Sequence, residues 1–180
     1  MQTIDLGLSV KWADRNFGAY SPTDIGEQCA WAELTPKSKY TWDNYKYWVC
    51  SGIFGPFLEN HFSKEIHSID SEDDAITNRY DKPWRIPTAT EFQELINKCR
   101  WVKTSECGIH GFRIYGYNGN SIFLPTEGVE HYWSVTRMKE PQHAKVLDIH
   151  YWYLQPVITQ YFVRNKSEIC HRPLRVHSKG

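Results

Sequence analysis

The strongest constraint on the fold of this 180-residue chain is a change of apolar period partway along it. One segment has clear helical spacing: Phe92, Leu95, Ile96 and Cys99 fall at i, i+3, i+4 and i+7 and share one face. Thr88 stands at the N-cap position, Glu91 three residues on completes a capping box, and Pro87 blocks extension backwards. The spacing predicts a helix from Ala89 to Lys98. Beyond it the chain reads as strands. Gly111 to Tyr115 and Ser121 to Leu124 flank Tyr117-Asn118-Gly119-Asn120, and Asn-Gly between apolar runs predicts a hairpin closed by a type I′ turn. Further strands are predicted at Tyr132 to Val135, Ala144 to Ile149, Val157 to Val163 and Leu174 to Val176. Strands gathered late, with helix and loops early, imply an α+β fold with a largely antiparallel sheet.

The earlier chain is less regular. Ile4 to Tyr20 reads as extended structure broken by glycines, and within it Leu6, Leu8, Val10 and Trp12 alternate with Gly7, Ser9 and Lys11, the pattern of a half-buried strand. Ser21 to Asp24 predicts a turn or a short helical start. From Thr35 to Tyr80, aromatic residues sit among Gly, Pro, Ser and Asn, which reads as a long, locally packed loop region with a short helix around Ser71 to Asn78. The acidic run Asp70-Ser71-Glu72-Asp73-Asp74 fits the first turn of that helix, where the helix dipole favours negative charge. No repeat or linker interrupts the chain, so one domain over residues 1–180 is expected.

Composition excludes several functional classes. Hydrophobic residues at 41% and charged residues at 23% describe a globular protein. Lys plus Arg equals Asp plus Glu, 21 against 21, so no basic field draws in a nucleic acid. No apolar run reaches the ~18 residues of a membrane span, and Met1 to Leu6 has neither the basic nor the apolar region of a signal peptide. Five cysteines without CxxC spacing imply mostly buried free thiols rather than a disulfide framework. No nucleophile elbow, phosphate-binding glycine loop or His-Glu-x-x-His motif is present. Cys107 with His110, and His61 with His67, are scattered pairs that fall short of four ligands at zinc-site spacing. The expectation is therefore no catalytic residue, no metal and no cofactor.

The block Trp84-Arg85-Ile86-Pro87-Thr88-Ala89-Thr90-Glu91-Phe92 resembles the signature of the Fibrobacter succinogenes major paralogous domain, a family abundant in gut Bacteroidetes. Further matching blocks follow in the family's order: Asp5 to Ala19 (DLGLSVKWADRNFGA), Ala30 to Glu33, Gly119 to Pro125 (GNSIFLP), Tyr132 to Ser134 and Arg172 to Arg175. Together they cover nearly the whole chain. The resemblance implies a C-type lectin-like fold, related to formylglycine-generating enzymes and to retroelement variable proteins. It also implies an extracellular or cell-surface location, pairing of first and last strands with Ile4 to Leu6 near Leu174 to Val176, and ligand binding in the loop layer. Two departures matter. Glu140-Pro141-Gln142 and Trp42-Asp43-Asn44 do not match the calcium motifs of sugar-binding lectins, and only Cys170 lies where the oxidases carry a cysteine pair.

The aromatic content, 15% with eight Trp, serves either a core or a contact surface. Tyr151, Trp152 and Tyr153 are consecutive, so on a strand they cannot all face inward. With Gln155, Thr159, Tyr161 and Arg164 they make up the candidate ligand-binding surface, a composition of Tyr, Trp and Arg typical of binding hot spots. The expected function is a non-catalytic binding or adhesion module for a protein or glycan, one version being a retroelement-diversified display domain. The alternatives are a structural domain of a fimbria-like assembly, with these rings in subunit contacts, and an oxidase of the formylglycine-generating type.

Overall fold

The computed structural model describes the backbone of residues 1–41, 44–51, 59–62, 68–127, 129–137, 143–152, 156–162, 164–165, 168–169, 171–173 and 175–179. Side chains are described for these apart from 48–51, 59–62, 129, 143, 159–162, 164–165, 168–169, 171–173 and 175–179. The fold is mixed α+β. Two helices accompany strands whose described pairings are all antiparallel.

The terminal sheet has the order β1 (Thr3–Ile4), β2 (Val10–Asn16), β16 (Arg175–Lys179) and β6 (Trp84–Arg85). The chain's two ends thus share a sheet. The last strand pairs with β2, and β1 lies on β2's other edge, so Ile4 is one strand removed from the C-terminal strand rather than beside it. A second sheet joins β7 (Arg100–Glu106), β8 (Ile109–Tyr115) and β9 (Ser121–Pro125). Smaller pairs are β4 (Trp48–Ser51) with β5 (Glu59–Phe62), β3 (Gln28–Ala30) with β15 (His171–Pro173), and β13 (Arg164–Asn165) with β14 (Glu168–Ile169).

The sheet that organises the core is β10 (Val129–Arg137), β11 (His143–His150) and β12 (Val157–Phe162). Tyr132 lies opposite Leu147, and Trp133 opposite Val146. Side chains alternate along a strand, so the two faces receive different sets. Trp133, Ala144 and Val146 enter a cluster with Phe17, Cys29, Trp31, Tyr45 and Ile76. Tyr132, Leu147 and Ile149 enter another with Leu6, Trp12, Phe92, Leu95 and Ile114. All six of these strand residues are fully buried, so β10 and β11 are covered on both faces at these positions. Each large apolar side chain removed from water in this way contributes about 1.5–3 kcal/mol.

Helix α2 (Ala89–Lys98) lies where its period placed it. Thr88 accepts from the Glu91 amide and Glu91 accepts from the Thr88 amide, so both halves of the capping box form. Arg85 holds the same Glu91 carboxylate. Phe92 and Leu95 are buried, with the Phe92 ring 5.7 Å from that of Trp12. Helix α1 (Ala75–Tyr80) starts later than the acidic run suggested, and its first turn carries no acid. Instead Asp74 is the N-cap, accepting from the amides of Ile76, Thr77 and Ile86. Burial nevertheless pushes the Asp74 carboxyl up, against the pull of those three donors. Asp73, also buried, pairs with Lys46 at 2.6 Å.

Three expectations needed correction. The strand predicted from Leu6 is interrupted: Gly7 has φ +76°, and regular pairing begins only at Val10, although Leu6, Leu8, Val10 and Trp12 do all join one cluster. The stretch read as loop from Thr35 to Tyr80 contains the β4–β5 hairpin. The type I′ turn lies elsewhere. Asn118 does not take positive φ; only Gly119 does, at +86°. The side chains of Asn118 and Asn120 instead donate to the Asp5 carbonyl, clamping the N-terminal segment. The two-residue turn with both φ positive is Cys107-Gly108, between β7 and β8.

Candidate functional site

The final residues of β11 and the turn after it bring together the most chemically distinctive side chains. Asp148 and His150 are two residues apart on one strand and therefore share a face. His131 lies directly opposite Asp148 on β10. The three converge: His150 Nε2 is 3.0 Å and His131 Nε2 3.4 Å from Asp148 Oδ1. The imidazoles meet edge to face with ring centres 6.3 Å apart. One donor atom from each of the three lies within 4.8 Å of the others. The His131 side chain is 7% exposed, Asp148 13% and His150 30%, so the group opens to solvent on the His150 side. Two imidazole nitrogens and a carboxylate oxygen suit hydrogen bonding or a first-row transition metal.

Immediately beyond His150 the chain turns. Tyr151 is half-buried and packs on the second cluster, its ring 4.8 Å from that of His110 and 6.0 Å from that of Phe112. The Lys103 ammonium sits over the same ring at 5.4 Å. Trp152 meets Tyr151 edge to face at 5.4 Å, yet is 74% exposed. The indole is therefore supported from beneath and open above. Tyr117 is as exposed, but it lies at the other end of β8 from His110, so the two do not form one patch.

Of the seven sequence-predicted site residues, Tyr151 and Trp152 are placed in full. They occupy a turn rather than a strand, and one faces in while the other faces out. Thr159 and Tyr161 belong to β12, in register with Val146 and Ala144, and Arg164 belongs to β13. Tyr153 and Gln155 lie outside the described residues, as do Glu140, Pro141, Gln142, Trp42, Asp43 and His67. Cys107 is an exposed turn residue, and His110 packs on the Tyr151 ring.

The residues that sequence reading missed are His131, Asp148 and His150. The Asp-x-His spacing of the latter two was visible and places both on one strand face. What no local pattern supplied was the register that sets His131 opposite. Cys29, Cys99 and Cys107 are free. Burial, reinforced by Glu27 and Glu33, pushes the Cys29 thiol up to about 12, and burial with Glu94 takes Cys99 to about 11. Both are thereby held protonated and unreactive at neutral pH.

Compared with protein-family models, with curated proteins and with solved structures, the chain matches none.

Proposed function

We propose that this chain is a non-catalytic ligand-binding or adhesion module, presenting the surface around Trp152 to a protein or glycan. The observation that carries this reading is an indole 74% exposed on a base made rigid by Tyr151, His110 and Phe112. An exposed tryptophan gives up apolar burial in the free protein and recovers it when a partner covers the ring. Its ordered base lowers the entropic cost of that contact. Tyr151, Trp152, Tyr153, Gln155, Thr159, Tyr161 and Arg164 are the residues assigned to the surface.

The scaffold is read as C-type lectin-like and of the Fibrobacter succinogenes major paralogous type, displayed at the cell surface. The order of the sequence blocks supports this, together with a terminal sheet in which the last strand pairs with β2. The test is a glycan and protein binding screen of the wild type, Trp152→Ala and Tyr161→Ala. A hot-spot tryptophan costs 2 kcal/mol or more on truncation, so binding by Trp152→Ala should weaken by roughly thirtyfold with unchanged thermal stability. A ligand bound equally well by both variants would place the functional surface elsewhere.

A further inference from the structure

We infer that His131, Asp148 and His150 form a binding site for one divalent transition-metal ion, with Zn²⁺ the best-matched ion. The donor set is one zinc accepts, imidazole nitrogen and carboxylate oxygen at bond lengths of about 2.0–2.2 Å. Ligands bound at such lengths around a tetrahedral ion lie about 3.3–3.5 Å from one another. The two His–Asp distances, 3.0 and 3.4 Å, already fall close to that spacing. All three donor atoms lie within 4.8 Å of one another, so modest side-chain rotation brings the imidazole pair into range.

The backbone beneath the site is fixed. His131 and Asp148 are cross-strand partners, and their neighbours Tyr132, Trp133, Leu147 and Ile149 are fully buried. The site is therefore held by paired strands with fully buried neighbours rather than by a loop. Exposure rises from His131 to His150, leaving one side open. The strand neighbour of Asp148 on β12 is Val157, which brings no donor at that register. Among the described residues three protein ligands converge, and a zinc site of three protein ligands takes water or an external donor in its fourth position. This site is distinct from the Trp152 surface and stands or falls without it.

The test uses tag-free, metal-stripped protein at pH 7.5. Titration with ZnCl₂ by calorimetry should show one ion bound per chain with micromolar or tighter affinity. Co²⁺ should give the weak visible bands of a nitrogen and oxygen site, without a thiolate charge-transfer band. Outer-shell partners of metal sites are worth 10–100-fold in affinity, so losing a direct ligand in His150→Ala or Asp148→Asn should cost at least about 100-fold. Zn²⁺ should raise the Tm of the wild type and not of His150→Ala. Because His150 is the most exposed of the three, that variant decides the matter if Asp148→Asn fails to fold. Cys107→Ser should bind as the wild type does. The site is overturned by a wild type that binds no zinc up to about 1 mM. It is equally overturned by undiminished affinity in His150→Ala, or by a thiolate band that disappears in Cys107→Ser.

Discussion

The two faces of the β10–β11–β12 sheet each carry a buried apolar cluster but are built on different principles. On one face, Phe92 and Leu95 of α2, Leu6, Ile114, Ile122 and Leu124 meet Tyr132, Leu147 and Ile149. Most of these are smooth apolar side chains on regular elements, with Tyr132 the exception among them, its Oη donating to Pro125 O at 3.0 Å. On the other face, Trp31, Tyr40, Tyr45 and Trp133 fill the space under irregular chain, and each uses its polar atom to hold a carbonyl. Trp31 Nε1 donates to Ser134 O at 2.9 Å, Trp133 Nε1 to Cys29 O at 3.2 Å, Tyr45 Oη to Trp31 O at 2.9 Å and Tyr40 Oη to Gln28 O at 2.5 Å. Irregular backbone leaves carbonyls without ladder partners, and a buried one must still be satisfied. Aromatics with N–H and O–H groups supply volume and partner together. That accounts for a tryptophan-rich composition without assigning every ring to a ligand.

This contrast predicts unequal costs for similar truncations. Trp133→Phe removes ring volume from a fully buried site and also the donor to Cys29 O, and should cost about 3 kcal/mol. Phe92→Leu, on the other face, removes packing alone and should cost about 1–1.5 kcal/mol. Urea unfolding of both variants decides between them. Equal losses would mean that the hydrogen-bonded aromatics are held by shape after all, and the distinction between the faces would lapse.

The helix caps sharpen the same comparison at lower cost. Asp74, beside the irregular face, accepts from three backbone amides, two in α1 and one at Ile86. Thr88 caps α2 through a single accepted bond from Glu91. Asp74→Ala should therefore destabilise by about 2 kcal/mol and Thr88→Ala by about 1 kcal/mol. The penalty already imposed on Asp74 by burial limits the difference. A larger loss from Thr88→Ala would reverse the ranking.

The same division explains how much was legible beforehand. Helix α2 was readable to the residue because its period, its cap and Pro87 are all local signals that agree. Strands β10 and β11 were readable as apolar runs, though not their ends or register. The β4–β5 hairpin was hidden, because its residues carry no clean alternation. Cys107-Gly108 is not legible as a type I′ turn because cysteine seldom takes positive φ. Asn118-Gly119 drew attention for the backbone freedom of asparagine, whereas the structure uses the side-chain amide to grip Asp5. At the candidate site, three consecutive aromatics imply an exposed ring from the sequence alone, but not the turn that carries it. The His131–Asp148–His150 group depends on a pairing between strands, which one-dimensional spacing does not encode.

The smallest effect concerns how the N-terminal segment is fastened over the regular face. Glu94 of α2 accepts from the backbone amide of Ser9 at 3.2 Å and from its hydroxyl, and pairs with Lys98 at 2.9 Å. Burial alone would raise the Glu94 carboxyl, but the Ser9 and Lys98 contacts outweigh it and hold the group below its ordinary value. A carboxyl lowered in the folded state contributes stability that is fully present above its unfolded value. That contribution is lost as the pH falls through the lowered folded value. Glu94→Gln keeps the shape and removes the charge, and should cost about 0.5 kcal/mol at neutral pH. The difference from the wild type should shrink toward zero on the acid side of the carboxylate range. Stability measured by urea unfolding from pH 7 down to pH 3 checks this. A gap that stays constant across that interval would mean that Ser9 is held by hydrogen-bond geometry rather than by charge, and that the regular face does not depend on electrostatics even at its rim.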